Sequence, residues 1–507
     1  MSLSDQLNDI LASLRGFGPE AWLSAFFCVL LLTELLLLRS NRMRARQVLA
    51  GLSAVIVLVA GAWAVVSPVR GFLFLHLLFV DNQAIFMQLV IALSAVFVLL
   101  YEMLTYSEKV TPNLTDRPAL PLEWYSLLVA MTLGLFLMTI SVNMLSIYLS
   151  IELVSICSYL LTALTADRKA SEGGIKYLLF GAISSAIMLY GMSLLYGMTG
   201  TLDLTADSFG AGLAGQDTAV VAVAILLTLA GLLFKLAGVP FHVWTPDAYE
   251  AAPVPVAAFF SVAPKAAGVL VLMRIVTALP LESSGGVTAT VIQTPLAILA
   301  LAGILIGNLS ALRQTDAKRL LAYSTIAHAG FLLVGVVALN EAGFEAVLFY
   351  AGTYLFISLA AFFLIDLLAR SAGTDLTIRH FSGLGSQKPV LAVAITIVMI
   401  ALTGLPPTVG FTAKLLSFSA LYDAYQQTQN GWLLVLFGLG LLNALISLVY
   451  YLKIPFLLFF RPAVIRSEPL PERPLLSGAT YLAVVLVVPI IGLFLKPDLL
   501  LRLLTSW

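Results

Sequence analysis

Charged residues are scarce in this sequence. Only 11% of the 507 residues are charged, the formal net charge is zero, and 60% of the residues are hydrophobic. The balanced charge argues against an electrostatic partner such as nucleic acid. So much apolar surface cannot all be buried by a chain that folds in water. The composition therefore predicts an all-α, multi-pass membrane protein whose solvent is largely the lipid bilayer.

Cysteine is also nearly absent. Cys28 and Cys157 lie far apart in apolar runs, without a CxxC or Cys/His spacing, so neither a metal site nor a disulfide framework is indicated and both thiols are expected to be buried. The sequence has no Walker loop and no Rossmann glycine fingerprint, which argues against a bound nucleotide. The N-terminus carries Asp5 and Asp9 and lacks a basic region, so it is expected to be an amphipathic lead-in rather than a cleaved signal.

Long apolar runs, in contrast, are abundant. A membrane-spanning helix needs roughly 20 apolar residues. On this criterion the sequence predicts fourteen spans, which begin near residues 19, 47, 79, 124, 144, 173, 217, 253, 289, 320, 344, 388, 431 and 475. No segment between them is long or polar enough to form a separate soluble domain, so residues 1–507 are predicted to be a single transmembrane domain.

Lysine and arginine collect on one side of the predicted spans. The connections after odd-numbered spans hold 19 basic residues and the opposite side holds 5. The positive-inside rule then predicts that both termini are outside, in the periplasm if the protein spans a bacterial inner membrane. The 19 are Arg39, Arg42, Arg44, Arg46, Lys109, Arg117, Arg168, Lys169, Lys176, Arg313, Lys318, Arg319, Arg370, Arg379, Lys388, Lys453, Arg461, Arg466 and Arg473. The 5 are Arg15, Arg70, Arg274, Lys496 and Arg502.

Three lysines remain, and all of them lie inside predicted spans: Lys235, Lys265 and Lys414. Glu152, in the run SIELVSIC of the fifth span, is their acidic counterpart. A charge at the bilayer centre costs ~2.5–3.5 kcal/mol, so such residues usually face protein or water and serve transport. Desolvation favours a neutral lysine and a nearby carboxylate favours a charged one. A lysine whose acidic partner approaches and retreats can therefore take up and release a proton.

Three further acidic residues are Glu34, Glu102 and Asp366, which the sequence places closer to the inner ends of their spans. Their side chains are expected to reach the membrane interface.

Two predicted spans contain helix-breaking sequences. Gly238 and Pro240 lie in GVPFH of the seventh span, and Pro406 and Pro407 lie in TGLPPTVGF of the twelfth. Proline removes a backbone donor and clashes with the preceding turn, so both helices are predicted to be interrupted. Backbone groups freed at membrane depth must line a cavity or be buried in protein. The alternative is that both breaks are proline kinks used only for packing.

Because the two breaks are five spans apart, they predict two inverted five-helix repeats. Lys235 precedes its break whereas Lys414 follows the other, so the two sites are not simple copies. The predicted units are three N-terminal helices at about 19–123, a first repeat at about 124–278 broken near 238–241, a second repeat at about 289–455 broken near 404–411, and a last helix at about 475–496.

Three segments resemble a known family: KLAGVPFHVWTPDAYEAAPVPVAAFFSVAPKAAG (235–268), DAKRLLAYSTIAHAG (316–330) and GLPPTVGFTAKLL (404–416). They are similar to the antiporter-like membrane subunits of respiratory complex I, and most similar to the N type. M-type subunits generally place Glu where Lys414 stands, and L-type subunits continue into a long lateral helix, whereas this sequence ends at Trp507. The D subunit of multisubunit sodium/proton antiporters shares the lysines but differs from this chain in the sequence of the first segment.

The resemblance implies roles for the central charges. Glu152 and Lys235 resemble the family's Glu/Lys pair, whose separation gates the lysine charge, and Lys265 resembles the central relay. Lys414 resembles the terminal lysine that faces the outer exit. His328 stands where family members place a histidine, and either relays protons or is structural.

His242 follows the first break. It is expected to cap freed carbonyls, with a role in proton uptake as the alternative.

The resemblance also implies the setting of the chain. It would be a non-redox subunit of an H⁺-translocating NADH:quinone oxidoreductase, a translocase, with M-type and K/J-type subunits as membrane neighbours. FMN, iron–sulfur clusters and quinone would be held by other subunits, and this chain would bind no cofactor or metal. Left open are a subunit of a multisubunit cation/proton antiporter, of a related hydrogenase or of a ferredoxin-dependent complex, and a scaffold that has lost transport.

Overall fold

The computed structural model describes residues 3–37, 42–107, 120–280, 289–373, 375–462 and 477–505. Five of the basic residues on which the orientation depends lie outside the described residues: Arg39, Lys109, Arg117, Arg466 and Arg473. The orientation of the chain in the membrane therefore stays a prediction.

The described part of the chain is a bundle of helices. Its first half contains α1 (Leu3–Gly16), α2 (Gly18–Leu37), α3 (Arg42–Val66), α4 (Asn82–Ser107), α5 (Glu123–Ile140), α6 (Met144–Thr162), α7 (Arg168–Thr199), α8 (Asp207–Ala214), α9 (Thr218–Leu236), α10 (Thr245–Ala251) and α11 (Val254–Thr277). Its second half contains α12 (Ala289–Leu312), α13 (Ala317–Val337), α14 (Glu341–Ala372), α15 (Leu384–Gln387), α16 (Pro389–Thr403), α17 (Val409–Thr428), α18 (Gly431–Tyr451), α19 (Lys453–Phe460), α20 (Gly478–Val485), α21 (Val488–Leu495) and α22 (Asp498–Thr505).

Thirteen helical segments of the described chain are long and apolar enough to cross a membrane. They match thirteen of the fourteen predicted spans. The remaining span, predicted near residue 388, is divided: α16 has only 15 residues, and α17 follows after a break. The helical class and the discontinuous helices are thus confirmed, and one predicted span is two shorter helices.

Helix ends are set by polar residues and glycines. The side chains of five residues accept a hydrogen bond from a first-turn N–H of α6, α7, α9, α13 and α14, respectively: Asn143, Asp167, Asp217, Asp316 and Asn340. Such caps satisfy backbone donors that a helix leaves free at its start. Gly200, Gly373 and Gly404 follow α7, α14 and α16 in the left-handed conformation, which ends a helix without a Cβ penalty.

The described residues also contain a short β-hairpin. Strands β1 (Gly71–Leu73) and β2 (Leu78–Val80) pair antiparallel just before α4. The residues between them include Phe74, Leu75 and His76, all with positive φ. The predicted third span therefore begins at Asn82 rather than near residue 79, because residues 78–80 belong to the hairpin.

The centre of the bundle is formed by α11, α13 and α14, which are almost completely buried, whereas α2 and α18 expose most of their apolar surface. Cys28, on α2, is exposed, and so the prediction that it is buried is wrong; Cys157, on α6, is buried as expected. Lys265 lies on α11 and His328 on α13. These two polar residues are therefore surrounded by protein rather than lipid.

Candidate functional site

The first helix break separates α9 from α10. The last helical residue of α9 is Leu236, Ala237 adopts the left-handed conformation, and the N–H of Gly238 donates to the carbonyl of Leu233 at 2.6 Å. The peptide between Val239 and Pro240 is cis. The chain resumes as the two-turn helix α10, so the break lies where the sequence places it.

Lys235 lies in the last turn of α9 and is 1% exposed. Its Nζ is 5.3–5.7 Å from the centroids of three rings, Phe234, Tyr177 and Tyr159, and it has no hydrogen-bond partner. Oε1 of Glu152 is also buried without a partner. Within the described chain, no ion pair of 4.0 Å or less joins these two residues. Both groups of the predicted pair thus lie inside the protein, but they do not form an ion pair.

Lys265, in the middle of α11, is the central lysine. Its Nζ donates a hydrogen bond of 3.0 Å to Oη of Tyr249, and it lies 5.7 Å from the ring centroid of Trp244. Trp244 stacks on Tyr177, with centroids 3.9 Å apart and planes 5° apart. Since Tyr177 also faces Lys235, this pair of rings stands between the two lysines. Stacked rings attract a cation through their faces, which favours charge on either side.

His328 joins two hydroxyl groups from different helices. Its Nδ1 is 2.7 Å from Oη of Tyr350, and its Nε2 is 3.1 Å from Oη of Tyr451. Tyr451 also contacts the hydroxyl of Ser324. Since a neutral imidazole carries one donor and one acceptor nitrogen, this residue can accept a proton on one side and release one on the other.

Hydroxyl groups continue from His328 toward the central lysine. The ring of Tyr354 lies 4.9 Å from the His328 ring, and its Oη donates to Oγ1 of Thr325 at 3.4 Å. Thr325 also lies near Tyr249, the partner of Lys265. Polar groups from α10, α13 and α14 therefore lie between Lys265 and His328.

Lys414 lies in the second turn of α17, after the second break. Its Nζ donates to the carbonyls of Thr403 at 2.7 Å and Leu402 at 3.2 Å, and it is 4.3 Å from the ring centroid of Phe331. Both carbonyls belong to the last turn of α16. The partial negative charge at a helix C-terminus favours a cation there. The break, with its cis Pro406–Pro407 peptide, thus supplies the partners that hold this lysine.

Gly404 allows this close approach. Its φ is +84°, and a Cβ at this position would lie 2.7 Å from Cδ of Lys414. Only glycine adopts this backbone readily and leaves the room that the lysine side chain occupies.

Unpartnered polar atoms gather at the first break. His242 Nδ1, Trp244 Nε1 and Thr245 Oγ1 are buried and have no hydrogen-bond partner, like the two groups of Glu152 and Lys235 described above. His242 lies near the carbonyl of Pro240, and its capping role stays a prediction. Buried polar groups normally have partners, so this region is suited to bind water or protons.

The expected interface positions of three acidic residues are wrong. Glu34, Glu102 and Asp366 are 7%, 5% and 0% exposed. Asp366 accepts hydrogen bonds from Tyr101 Oη at 2.7 Å and Arg370 Nε at 2.6 Å. Partners within the protein stabilise these carboxylates, so they do not need to reach the interface.

Similarly, the hydroxyl of Ser126 donates a hydrogen bond to Glu34, and the hydroxyl of Tyr125 donates one to Glu102. These bonds tie the N-terminal helices to α5.

The tyrosines were not predicted as site residues. Four of them have hydroxyl groups that contact Lys265, His328 or Thr325: Tyr249, Tyr350, Tyr354 and Tyr451. Their only sequence signal is a phenol within a long apolar run, and at Tyr350 and Tyr354 a spacing of four, which puts both on one helix face. In the part of the chain that the structure describes, no group of three His, Cys, Asp or Glu residues is arranged to hold a metal ion.

Comparisons with known proteins agree with the resemblance in the sequence. Residues 141–459 match the family described as "NADH:quinone oxidoreductase/Mrp antiporter, TM". NADH-quinone oxidoreductase subunit N 2 of Chloroherpeton thalassium is 35% identical over 97% of this chain and 95% of its own length. Subunit N of Chlorobium chlorochromatii is 36% identical over 97% and 95% of the two chains.

Solved structures share the fold over nearly the whole chain. A chain of respiratory complex I from Thermus thermophilus with bound aureothin has a TM-score of 0.76 and 29% identity, over 96% of this chain and 98% of that one. A chain of the Mrp complex from Dietzia sp. has a TM-score of 0.75 at 22% identity, over 96% of each. The chain therefore belongs to the NADH:quinone oxidoreductase/Mrp antiporter family of membrane subunits and, within it, to the subunit N group.

Proposed function

We propose that this chain moves protons across the membrane as an antiporter-like subunit in the membrane arm of an NADH:quinone oxidoreductase. Electron transfer from NADH to quinone, through FMN and iron–sulfur clusters of other subunits, would supply the energy. M-type and K/J-type subunits would be its membrane neighbours, in a bacterial inner membrane. The chain itself would carry protons and bind none of these cofactors.

The observation that supports this proposal is a row of buried proton-binding groups through the centre of the bundle. It leads from Lys235 through the ring pair to Lys265, then through hydroxyls to His328, and ends at Lys414. Burying three lysines in an apolar core is unfavourable by several kcal/mol and does not improve its packing, so their presence there favours a functional role.

Glu152 would control the first step. When its carboxylate approaches Lys235, the charged lysine is stabilised; when it withdraws, burial favours the neutral lysine and the proton leaves. In the present arrangement neither Glu152 Oε1 nor Lys235 Nζ has a hydrogen-bond partner, so no existing hydrogen bond must break for the two groups to meet.

Lys265 would receive the charge next, because the Tyr249 hydroxyl that accepts its hydrogen bond also stabilises its ammonium form. A second positive charge on the nearby Lys235 would repel it. Loading one lysine therefore drives the proton of the other onward, toward His328.

Lys414 would be the last proton-binding residue of the pathway. Its ammonium is held by the carbonyls at the end of α16, so proton loss frees these carbonyls, and uptake of the next proton closes the contact again. The two breaks would take equivalent places in two inverted repeats at about 124–278 and about 289–455.

Replacement of Lys265 by alanine tests the proposal. Lys265→Ala interrupts the pathway at its centre, and we expect assembled complex that has lost most of its proton pumping, measured as acidification of inverted membrane vesicles driven by NADH. Lys496→Ala, at an exposed lysine, is the control and should pump like the wild type. Normal pumping by an assembled Lys265→Ala complex would contradict the proposal.

A further inference from the structure

A group of ion pairs surrounds the short helix α10. Asp247 pairs with Lys176 at 2.8 Å and with Arg319 at 2.9 Å, and Glu250 pairs with Lys169 and Arg319, both at 2.5 Å. We call these five residues the ionic latch. Its cations come from the first three turns of α7 and the first turn of α13, so it joins helices from both halves of the chain.

The backbone of α10 is held by the same turn of α13. Nζ of Lys318 donates to the carbonyls of Glu250 at 2.7 Å and Ala252 at 2.9 Å, at the C-terminal end of α10. The side chain of Asp316 accepts the N–H of Arg319, which fixes the start of α13. The first turn of α13 thus contacts both the acidic side chains of α10 and the carbonyls at its C-terminal end.

The opposite face of α10 carries the contact to the central lysine. Successive residues of a helix are turned by about 100°, so Tyr249 points away from the side shared by Asp247 and Glu250. Tyr249 is fully buried and receives the hydrogen bond from Lys265. A helix of only two turns does not hold its position alone, and outside contacts must set where Tyr249 lies.

The cationic partners favour the charged form of the two latch acids, Asp247 and Glu250, and lower their pKa. Burial opposes ionisation of Asp247, but hydrogen bonds from Lys176 and Arg319 outweigh it and lower its pKa. Burial likewise opposes ionisation of Glu250, and bonds from Lys169 and Arg319 lower its pKa. Lowered acid pKa values mean that the pairs persist from neutral pH down past the ordinary titration of a carboxyl. The latch is therefore a constant support and does not open with a proton.

Arg319 is the residue on which the latch depends. It contacts both acids, whereas each lysine contacts one of them. An isolated exposed pair contributes little, but a guanidinium shared between two carboxylates orders both.

We propose that Arg319, acting through the ionic latch, positions Tyr249 on Lys265 and so makes proton exchange at the central lysine depend on contact between the two halves of the chain. Arg319 is then a positioning residue, and this role rests on the proposed proton pathway.

A double-mutant cycle in assembled complex tests the proposal. Arg319→Gln removes the latch cation and Tyr249→Phe removes the hydroxyl. Each should lower the NADH-driven pumping rate, normalised to assembled complex, by about three- to ten-fold, the scale of coupling between contacting residues. If Arg319 acts through Tyr249, the double variant should pump no more slowly than Tyr249→Phe alone.

Two further variants separate the latch from general effects of charge. Arg319→Lys keeps the charge. Because both carboxylates contact one nitrogen of Arg319, Nη1, the ammonium of the shorter lysine can replace these contacts only in part, so this variant should recover part of the rate. Arg313→Gln removes an exposed arginine six residues away and should leave pumping unchanged. If Arg319→Gln does not assemble, Asp247→Asn replaces it in the cycle, since the pair of Arg319 with Glu250 is kept.

The outcomes are distinguishable from failure of the pathway itself. If the fold-loss of pumping in the double variant equals the product of the two single fold-losses, Arg319 acts independently of Tyr249. This result would overturn the positioning role. Wild-type pumping by Arg319→Gln, together with lost pumping by Lys265→Ala, would overturn the latch alone. Wild-type pumping by Lys265→Ala would overturn the pathway.

Discussion

The three buried lysines differ in what holds their charge. Lys235 faces only aromatic rings, Lys265 has one hydroxyl partner, and Lys414 has two carbonyls. Each added partner replaces part of the hydration that a buried ammonium loses. The ammonium form therefore has the least support at Lys235, where the carboxylate of Glu152 is the proposed partner, and the most at Lys414.

Glu152 gives the sharpest prediction at the scale of residues. Glu152→Gln keeps the size of the side chain but removes the charge that stabilises protonated Lys235. If the carboxylate contributes about 1.4 kcal/mol to the charged lysine, its loss weakens the proton-binding constant of Lys235 about ten-fold. We expect pumping to fall by that order while the complex still assembles, because no hydrogen bond of Oε1 is lost.

The measurement is proton pumping in vesicles, normalised to the amount of assembled complex. Glu152→Asp is the matched variant: it keeps the charge with a reach shorter by one methylene, and should retain part of the activity. A glutamine variant as active as the wild type would show that Glu152 is structural, and the gating role would be withdrawn.

The central charges of the site were predictable from the sequence, but their partners were not. Glu152 and the lysines stand out because charge within an apolar span is rare. Tyrosine within a span is common, so Tyr249 carries no comparable signal until its distance to Lys265 is known. The contact of His328 with Tyr451 joins residues 123 positions apart, which no local pattern can show.

At the scale of helices, the two breaks hold their lysines differently for a geometric reason. Side chains on a helix tilt toward its N-terminus. Lys235, in the last turn of α9, therefore points back along its own helix and away from the break, whereas Lys414, in α17, points back onto the break before it. The order of lysine and proline in the sequence predicted that the sites differ, and the tilt explains how.

Gly404 provides a prediction for the second break. A Cβ in Gly404→Ala would lie 2.7 Å from Cδ of Lys414, at a φ of +84°. We expect a loss of about 1–3 kcal/mol in stability from the strained backbone, together with displaced Lys414 and impaired pumping. Thermal inactivation of the solubilised complex and vesicle pumping measure the two effects.

The control is Gly438→Ala in α18, where an added Cβ meets no atom within 4 Å and φ is not positive. It should be neutral or slightly stabilising, because alanine is the better helix former. Equal behaviour of the two variants would mean that Gly404 does not shape the site.

The helices themselves were largely predictable, since long apolar runs specify them. Two features of the fold were not predictable. The hairpin of β1 and β2 lies within a continuous apolar run, so hydropathy cannot separate it from the span that follows. The buried position of Asp366 depends on Tyr101, 265 residues earlier, and the inner end of a span gives no sign of such a partner.

At the scale of the whole molecule, the fold does not decide which assembly the chain joins. Its TM-score is 0.76 to a complex I chain and 0.75 to an Mrp chain, so both classes share one scaffold. The sequence separates them better: curated subunit N relatives are 35–36% identical over nearly the full length. The shared scaffold holds the lysines inside the bundle, and under the proposed function the neighbouring subunits would determine what drives the protons.

The co-purification of redox centres with this chain is therefore the decisive whole-molecule prediction. After mild solubilisation, we expect flavin fluorescence and iron–sulfur absorbance to migrate with an affinity tag on this chain through size-exclusion chromatography. The same fractions should reduce a soluble quinone with NADH. The Lys265→Ala variant is the matched control, since it should keep the redox centres while losing proton pumping. A stable assembly of membrane subunits alone, without flavin or iron–sulfur absorbance, would instead assign the chain to a cation/proton antiporter.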